Sequence, residues 1–196
     1  MSISELDALS CALFLVAAFT LAGVCHSAWL AMPGSQRFAV PLDGGRTLGG
    51  RRLLGENKTL RGFMVMVPAT GIAFALLASL RDVLPTGLNG LWSLSPVGYA
   101  LLGSWSAVGF MAGELPNSFI KRQLDIPPGE AARGRFTGPL FFVVDRLDSI
   151  LGLMLALIVA VPVPWRTWLF VALLGPPLHG LFSVALFRLG VKARPA

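Results

Sequence analysis

Long apolar blocks separated by short polar runs organise this chain. Five blocks are long enough for helices that cross a bilayer, at about residues 8–31, 62–80, 96–115, 138–161 and 165–187. The predicted fold class is all-α: a polytopic membrane protein, with residues 1–196 forming one transmembrane catalytic domain. Gly175, Pro176 and Pro177 interrupt the last block and predict a kink or break there. The fourth block, Gly138 to Val161, carries Asp145, Arg146 and Asp148 well inside its apolar run. A charge at membrane depth costs roughly 2.5–3.5 kcal/mol on insertion scales, so such residues face protein and have partners there. Positions three and four apart share one side of a helix. Asp145, Asp148, Ser149, Gly152 and Ala156 therefore form one small, polar stripe. Leu147, Leu151, Met154 and Leu155 fall largely off it. Two carboxylates one turn apart suit Mg²⁺, which takes one or two carboxylates and fills its other positions with water and phosphates. The plainer reading is a structural ion pair between Arg146 and one Asp.

Charge gives the blocks a direction. The segment from Pro33 to Arg61 holds Arg37, Arg46, Arg51, Arg52, Lys58 and Arg61. The segment from Asn117 to Thr137 holds Lys121, Arg122, Arg133 and Arg135, and the tail holds Arg188, Lys192 and Arg194. The intervening turns carry only Arg81 and Arg166, and the N-terminus carries no Lys or Arg. Five spans with this alternation place the N-terminus outside and the C-terminus in the cytoplasm. Both basic loops and the Asp-bearing end of the fourth span then meet at the cytoplasmic face of the cell membrane. A net charge of +6 in a chain that is 55% hydrophobic, with mean hydropathy +0.71, is thus assigned to head groups and phosphates rather than nucleic acid. Glu5 and Asp7, with no early cation, argue against a secretory signal peptide. Cys11 and Cys25 are expected to be buried free thiols, and no Cys/His spacing suggests zinc.

The basic loops carry candidate chemistry. Pro41 to Phe63 reads PLDGGRTLGGRRLLGENKTLRGF, rich in glycine and cations and running straight into the second span. Glycines let backbone N–H groups close around phosphate oxygens, and a helix N-terminus favours anions. Asn57, Lys58, Thr59 and Arg61 crowd that entrance, although the Walker A spacing is absent. In the third span Ser106, Gly109 and Gly113 share a face that permits close helix contact. That span reaches the polar side at Glu114, followed by Ser118, Lys121 and Arg122. Glu114 is a third carboxylate at a depth similar to the Asp pair. His179 follows the Pro pair, where a titratable ring beside a helix break would serve a substrate as readily as packing. His26, alone in the first span, reads as hydrogen-bonded packing.

Three blocks resemble the integral-membrane cytidylyltransferases, most closely the CDP-archaeol synthase family, which is related to phosphatidate cytidylyltransferase. They are GRRLLGENKTLRG (Gly50 to Gly62), GELPNSFIKRQLDIPPGE (Gly113 to Glu130) and VVDRLDSILG (Val143 to Gly152). The last is similar to a DRxDS signature. Glu114 stands where an Asp is usual, and a Gly-His-Gly-Gly lead-in before Asp145 is missing. The resemblance implies Mg²⁺-dependent transfer of CMP from CTP to a lipid phosphate of archaetidic or phosphatidic acid type, with release of pyrophosphate. It implies Asp145, Asp148 and Glu114 as metal ligands. Lys121, with those acids, would be catalytic. Asn57, Lys58, Thr59, Arg61, Ser118, Arg122 and His179 would bind substrate. The partners expected are CTP, the lipid phosphate and the bilayer, with a homodimer left open. The alternative is an ion-coupled transporter or lipid flippase using the same acids, but transporters usually carry internal repeats and more spans.

Overall fold

The computed structural model describes residues 3–81, 89–130 and 132–188, with the side chains at 81, 179, 182, 183, 185 and 186 left aside. Five long helices occupy the five apolar blocks: α1 (Ala8–Ala31), α2 (Leu60–Arg81), α3 (Pro96–Gln123), α4 (Thr137–Ala160) and α5 (Trp165–Arg188). They pack in chain order, and α5 returns to α1, which closes the ring. Among the described residues, Ala8–Ala31 and Leu60–Leu80 are each long and apolar enough on composition to cross a bilayer.

Local signals set the helix starts. Asp7 caps α1 by accepting from the Ser10 N–H at 2.6 Å, and Ser95 caps α3 by accepting from Gly98 N–H at 3.1 Å with Pro96 next in line. The core sits towards the end where these caps lie. Phe14 packs edge-on against Phe74 at 5.0 Å and lies 5.4 Å from Tyr99. Trp92 and Tyr99, both buried, satisfy their polar atoms on backbone oxygens of Pro162 and Trp92. Outward-facing Leu76, Leu101, Val159 and Leu173 are all at least half exposed, as suits a protein solvated by lipid tails rather than water.

Two helix boundaries differ from expectation. α3 runs about two turns beyond residue 115, through Pro116, so Asn117 to Arg122 are helical rather than loop. The interruption foreseen at Gly175–Pro177 does not end α5, which holds both prolines inside it. Each proline removes one backbone N–H, but helices in a bilayer tolerate that loss because neighbouring groups can satisfy the freed carbonyl. Lys192 and Arg194, used for orientation, lie outside the described residues.

The loop between α1 and α2 is structured. After a 3-10 turn at Pro33–Phe38, β1 (Thr47–Leu48) pairs antiparallel with β2 (Arg51–Arg52). Gly49 and Gly50 form the turn, at φ 59° and 81°. Both angles are in the left-handed region that a tight hairpin turn of this kind needs.

Candidate active site

Small residues set the distance between α3 and α4. A Cβ built on Gly113 would meet the Gly152 Cα at 2.9 Å, and one built on Gly152 would meet the Gly113 Cα at 2.6 Å and the Gly109 carbonyl. The helices therefore touch backbone to backbone. Trp105 Nε1 adds a hydrogen bond to the Ala156 carbonyl at 2.8 Å. This contact aligns Glu114, Asn117 and Lys121, on one face of α3, with the Asp145–Asp148–Ser149 stripe of α4.

A continuous polar chain results. Lys121 Nζ donates to both oxygens of Asp145, at 2.5 and 2.6 Å. Asn117 Nδ2 donates to Asp145 Oδ1 and to Asp148 Oδ2, each at 2.7 Å. Asp148 Oδ1 accepts from the Ser149 N–H at 2.7 Å. Ser149 Oγ donates to Glu114 Oε1 at 2.8 Å, and Lys58 pairs with Glu114 Oε2. Two ammonium groups here face three carboxylates, which leaves an excess of negative charge. Asp145 and Asp148 are brought together; Glu114 stands one step off, through Ser149. Among the described residues no three acidic, His or Cys side chains converge as a finished metal cage. Arg146 does not pair with either Asp. It donates to the Phe142 carbonyl at 2.9 Å and lies 3.4 Å over that ring, so the simple ion-pair reading fails.

Two arginines, at the start of α2 and the end of α3, have buried nitrogens without partners among the described residues. Nε and Nη1 of Arg122 are buried and meet no acceptor among the described residues; the residue is 9% exposed. The same two atoms of Arg61 are buried and unpaired, as is His26 Nε2. His26 lies near Gly62 at the start of α2, and among the described residues its Nε2 finds no hydrogen-bond partner. A buried, uncompensated guanidinium is costly. Arg61 and Arg122 are therefore suited to receive an anion.

The first basic loop is fastened over this end of the bundle. Arg51 grips Asp125 with Nε and Nη2 at 2.7 and 2.5 Å, and its Nη1 reaches the Gln123 carbonyl at 2.9 Å. Asp125 takes the left-handed conformation (φ 56°) just past α3, while the Ile126 N–H closes back on the Lys121 carbonyl at 2.9 Å. That helix-ending turn usually wants glycine. Here the carboxylate that Arg51 needs occupies it. Ser118 Oγ, expected to donate to substrate, accepts from the Gly55 N–H at 3.1 Å, which leaves its own O–H free of that bond. Thr59 is buried and bridges to Pro41, and Asn57 is exposed, its Oδ1 folded over Gly55. His179 falls within α5, but its side chain lies outside the described residues.

Asp43 holds the loop from within. Its buried carboxylate accepts from Arg52 Nη2 at 2.6 Å, Leu54 N–H at 3.0 Å and Gly45 N–H at 2.9 Å. Burial raises its pKa, but Arg52 and the two N–H groups outweigh that and hold it at about 2. A depressed carboxylate adds stability that is complete above the ordinary range near 4 and is lost as pH falls through about 2. Asp43→Asn at pH 7 is expected to cost the loop about 2 kcal/mol, or about 30-fold faster amide exchange over residues 43–54. Wild type should approach the variant's exchange only below pH 3. Equal protection at pH 7 would remove Asp43 from this role.

Sequence reasoning passed over Asn117 because it ended the third span near residue 115 and read Asn117 to Thr137 as a loop. Once α3 is extended, Asn117 lies three residues after Glu114 and four before Lys121, on their face. Asp43 and Asp125 gave no such periodic signal; their partners come from the hairpin.

A family model described as CDP-archaeol synthase, CarS-like, matches residues 13–195. The CDP-archaeol synthase of Halobacterium salinarum is 36% identical over 162 residues, covering 79% of this chain and 82% of that one. That of Methanococcoides burtonii is 31% identical over 175 residues, covering 79% and 89%. A solved chain described as an intramembrane enzyme for archaeal membrane lipids biosynthesis shares the fold at TM-score 0.60 and 27% identity. The match covers 88% of this chain and 92% of that one. Three basic and acidic blocks, one polar chain across α3 and α4, and these likenesses place the chain in the CDP-archaeol synthase family of membrane cytidylyltransferases.

Proposed function

We propose that this protein transfers CMP from CTP to a membrane lipid phosphate, with Mg²⁺ held by Asp145 and Asp148. The observation that carries this reading is the meeting, at one end of the bundle, of two amide-bridged carboxylates and two arginines with buried, unpaired nitrogens. The donor set fits the ion: hard carboxylate oxygens sharing one donor, beside spare negative charge. Bound there, Mg²⁺ supplies charge neutralisation on the triphosphate.

Everything else in the reaction is positioning. A lipid phosphate is ionised at neutral pH, so no general base is needed. One of its oxygens attacks the α-phosphorus of CTP. The new P–O–P bond forms as the α–β bond breaks, and the electron pair leaves on pyrophosphate. Arg61 and Arg122 grip phosphate oxygens, and Lys121 and Lys58 shift from their acids towards the nucleotide as charge accumulates. Asn57, Thr59 and His179 complete the substrate contacts. Before the nucleotide enters, Glu114 holds Lys58, and Ser149 holds Asp148 and Glu114. The name shared by the relatives favours an ether-linked isoprenoid lipid over an ester-linked one.

The basic segments support five spans with this end facing the cytoplasm. Labelling of an Arg46→Cys protein by an impermeant reagent from outside intact cells would reverse that orientation. The function is tested with purified protein, CTP, Mg²⁺ and paired ether and ester lipid phosphates, following pyrophosphate. Release with the ether lipid is expected, and no release with either lipid overturns the reading. Arg122→Leu is expected to raise the melting temperature without substrate, because it removes an uncompensated charge. It should also raise the KM for CTP or for the lipid at least about tenfold. An unchanged KM for both would show that Arg122 meets no phosphate.

A further inference from the structure

One atom at the centre of the polar chain has no partner. Asn117 Oδ1 is buried, and no donor reaches it among the described residues, although the same amide's nitrogen makes two short bonds. The residue as a whole is only 7% exposed. The orientation follows from chemistry: an amide oxygen cannot sit 2.7 Å from two carboxylate oxygens, so without a cation the nitrogen must face them. The cost is a buried carbonyl without a donor. Beside a cation the preference inverts. A divalent ion between Asp145 and Asp148 repels N–H groups and attracts the carbonyl oxygen of the same side chain.

We propose that Asn117 is a reversible amide clasp and a metal ligand. Without metal its nitrogen ties Asp145 to Asp148 and suppresses their repulsion; with metal the amide turns about its terminal torsion and presents Oδ1 to the ion. The inference rests on the metal role of the Asp pair proposed above. Its structural basis is separate: a shared donor on one side of the amide and an orphaned acceptor on the other. The position is set by α3 continuing through Pro116, which puts Asn117 on the face that meets α4. A purely structural Asn would be satisfied at both ends.

Mn²⁺ is the probe, added to the full-length protein in detergent without CTP or lipid. Asn117→Ala is expected to weaken Mn²⁺ about tenfold and to add one inner-sphere water to the bound ion, read by water-proton relaxivity. Asn117→Asp, nearly isosteric, should bind Mn²⁺ at least as tightly as wild type. In chelator it should melt lower, because a third carboxylate replaces the bridging N–H groups, and Mn²⁺ should restore it. Wild-type affinity and water count in Asn117→Ala, with binding lost in Asp148→Asn, would overturn the clasp and leave the metal site standing. Should Asn117→Ala fail to fold, an Asn117→Asp protein that melts like wild type with and without Mn²⁺ would overturn it equally. No Mn²⁺ binding by wild type would remove the metal reading and the clasp together.

Discussion

Asp148→Asn is expected to lower CMP transfer by about 10²–10³-fold or more, with the melting temperature within a few degrees of wild type. The magnitude is that of removing one preorganised electrostatic group from a site where charge develops. The fold should survive because the substitution preserves shape. The amide oxygen introduced at this position can still accept from the Ser149 N–H, and only the bond from Asn117 is lost. Removing a charge from between two helices also offsets part of that loss. Asp145→Asn makes a useful contrast. It strips Lys121 of the carboxylate that takes both of its short bonds and leaves an unpaired ammonium between the helices, so a lower melting temperature should accompany the loss of rate. Circular dichroism and melting separate a dead enzyme from an unfolded one. Asp148→Asn turnover within a few-fold of wild type would sink the role given to this carboxylate.

Much of this was legible in the amino-acid order. Helical spacing alone put Asp145, Asp148, Ser149, Gly152 and Ala156 on one side of α4, and each of the first three meets an α3 side chain or lies beside one that does. Gly109 and Gly113 were legible as a contact face for the same reason. The extent of α3 was not, because the apolar run ends near residue 115 and the polar, basic stretch after it reads as loop, whereas the helix continues through Pro116 to Gln123. The fastening of the loop was also hidden. Arg51 finds Asp125 across 74 positions, and no local pattern says which of six basic residues in that segment takes which acid. Arg52 goes inward to Asp43 and Arg51 outward to Asp125, because neighbouring positions of one strand point to opposite faces, and Lys58, beyond the hairpin, reaches Glu114. Of the residues this leaves without an acid, Arg61 is informative because its Nε and Nη1 are buried and unpaired among the described residues, as are those of Arg122 on α3.

The contact between α3 and α4 predicts the other large effect. Gly152→Ala is expected to lower the melting temperature by several degrees and turnover by at least tenfold, although the groups nearest the new methyl are α3 backbone and not the side chains of the polar chain. Its Cβ would overlap the Gly109 carbonyl and stand 2.6 Å from the Gly113 Cα, and both obstacles are backbone, which no rotamer change can clear. The helices must separate, at a cost of about 1–3 kcal/mol for overpacking a close contact. Separation is felt one turn away, where Asn117 spans to Asp145 and Asp148 at 2.7 Å. A displacement of about 1 Å at such a site can cost 10²-fold in rate. Gly23→Ala in α1 is the control. Nothing lies within 4 Å of its Cβ position, and alanine is the better helix former, so that protein should be as stable and as active as wild type. If the two variants behave alike, the helix approach does not govern the site. If only Gly152→Ala fails, the spacing of two glycine-lined backbones is what lets acids from one helix and an amide and a lysine from the other act as one group.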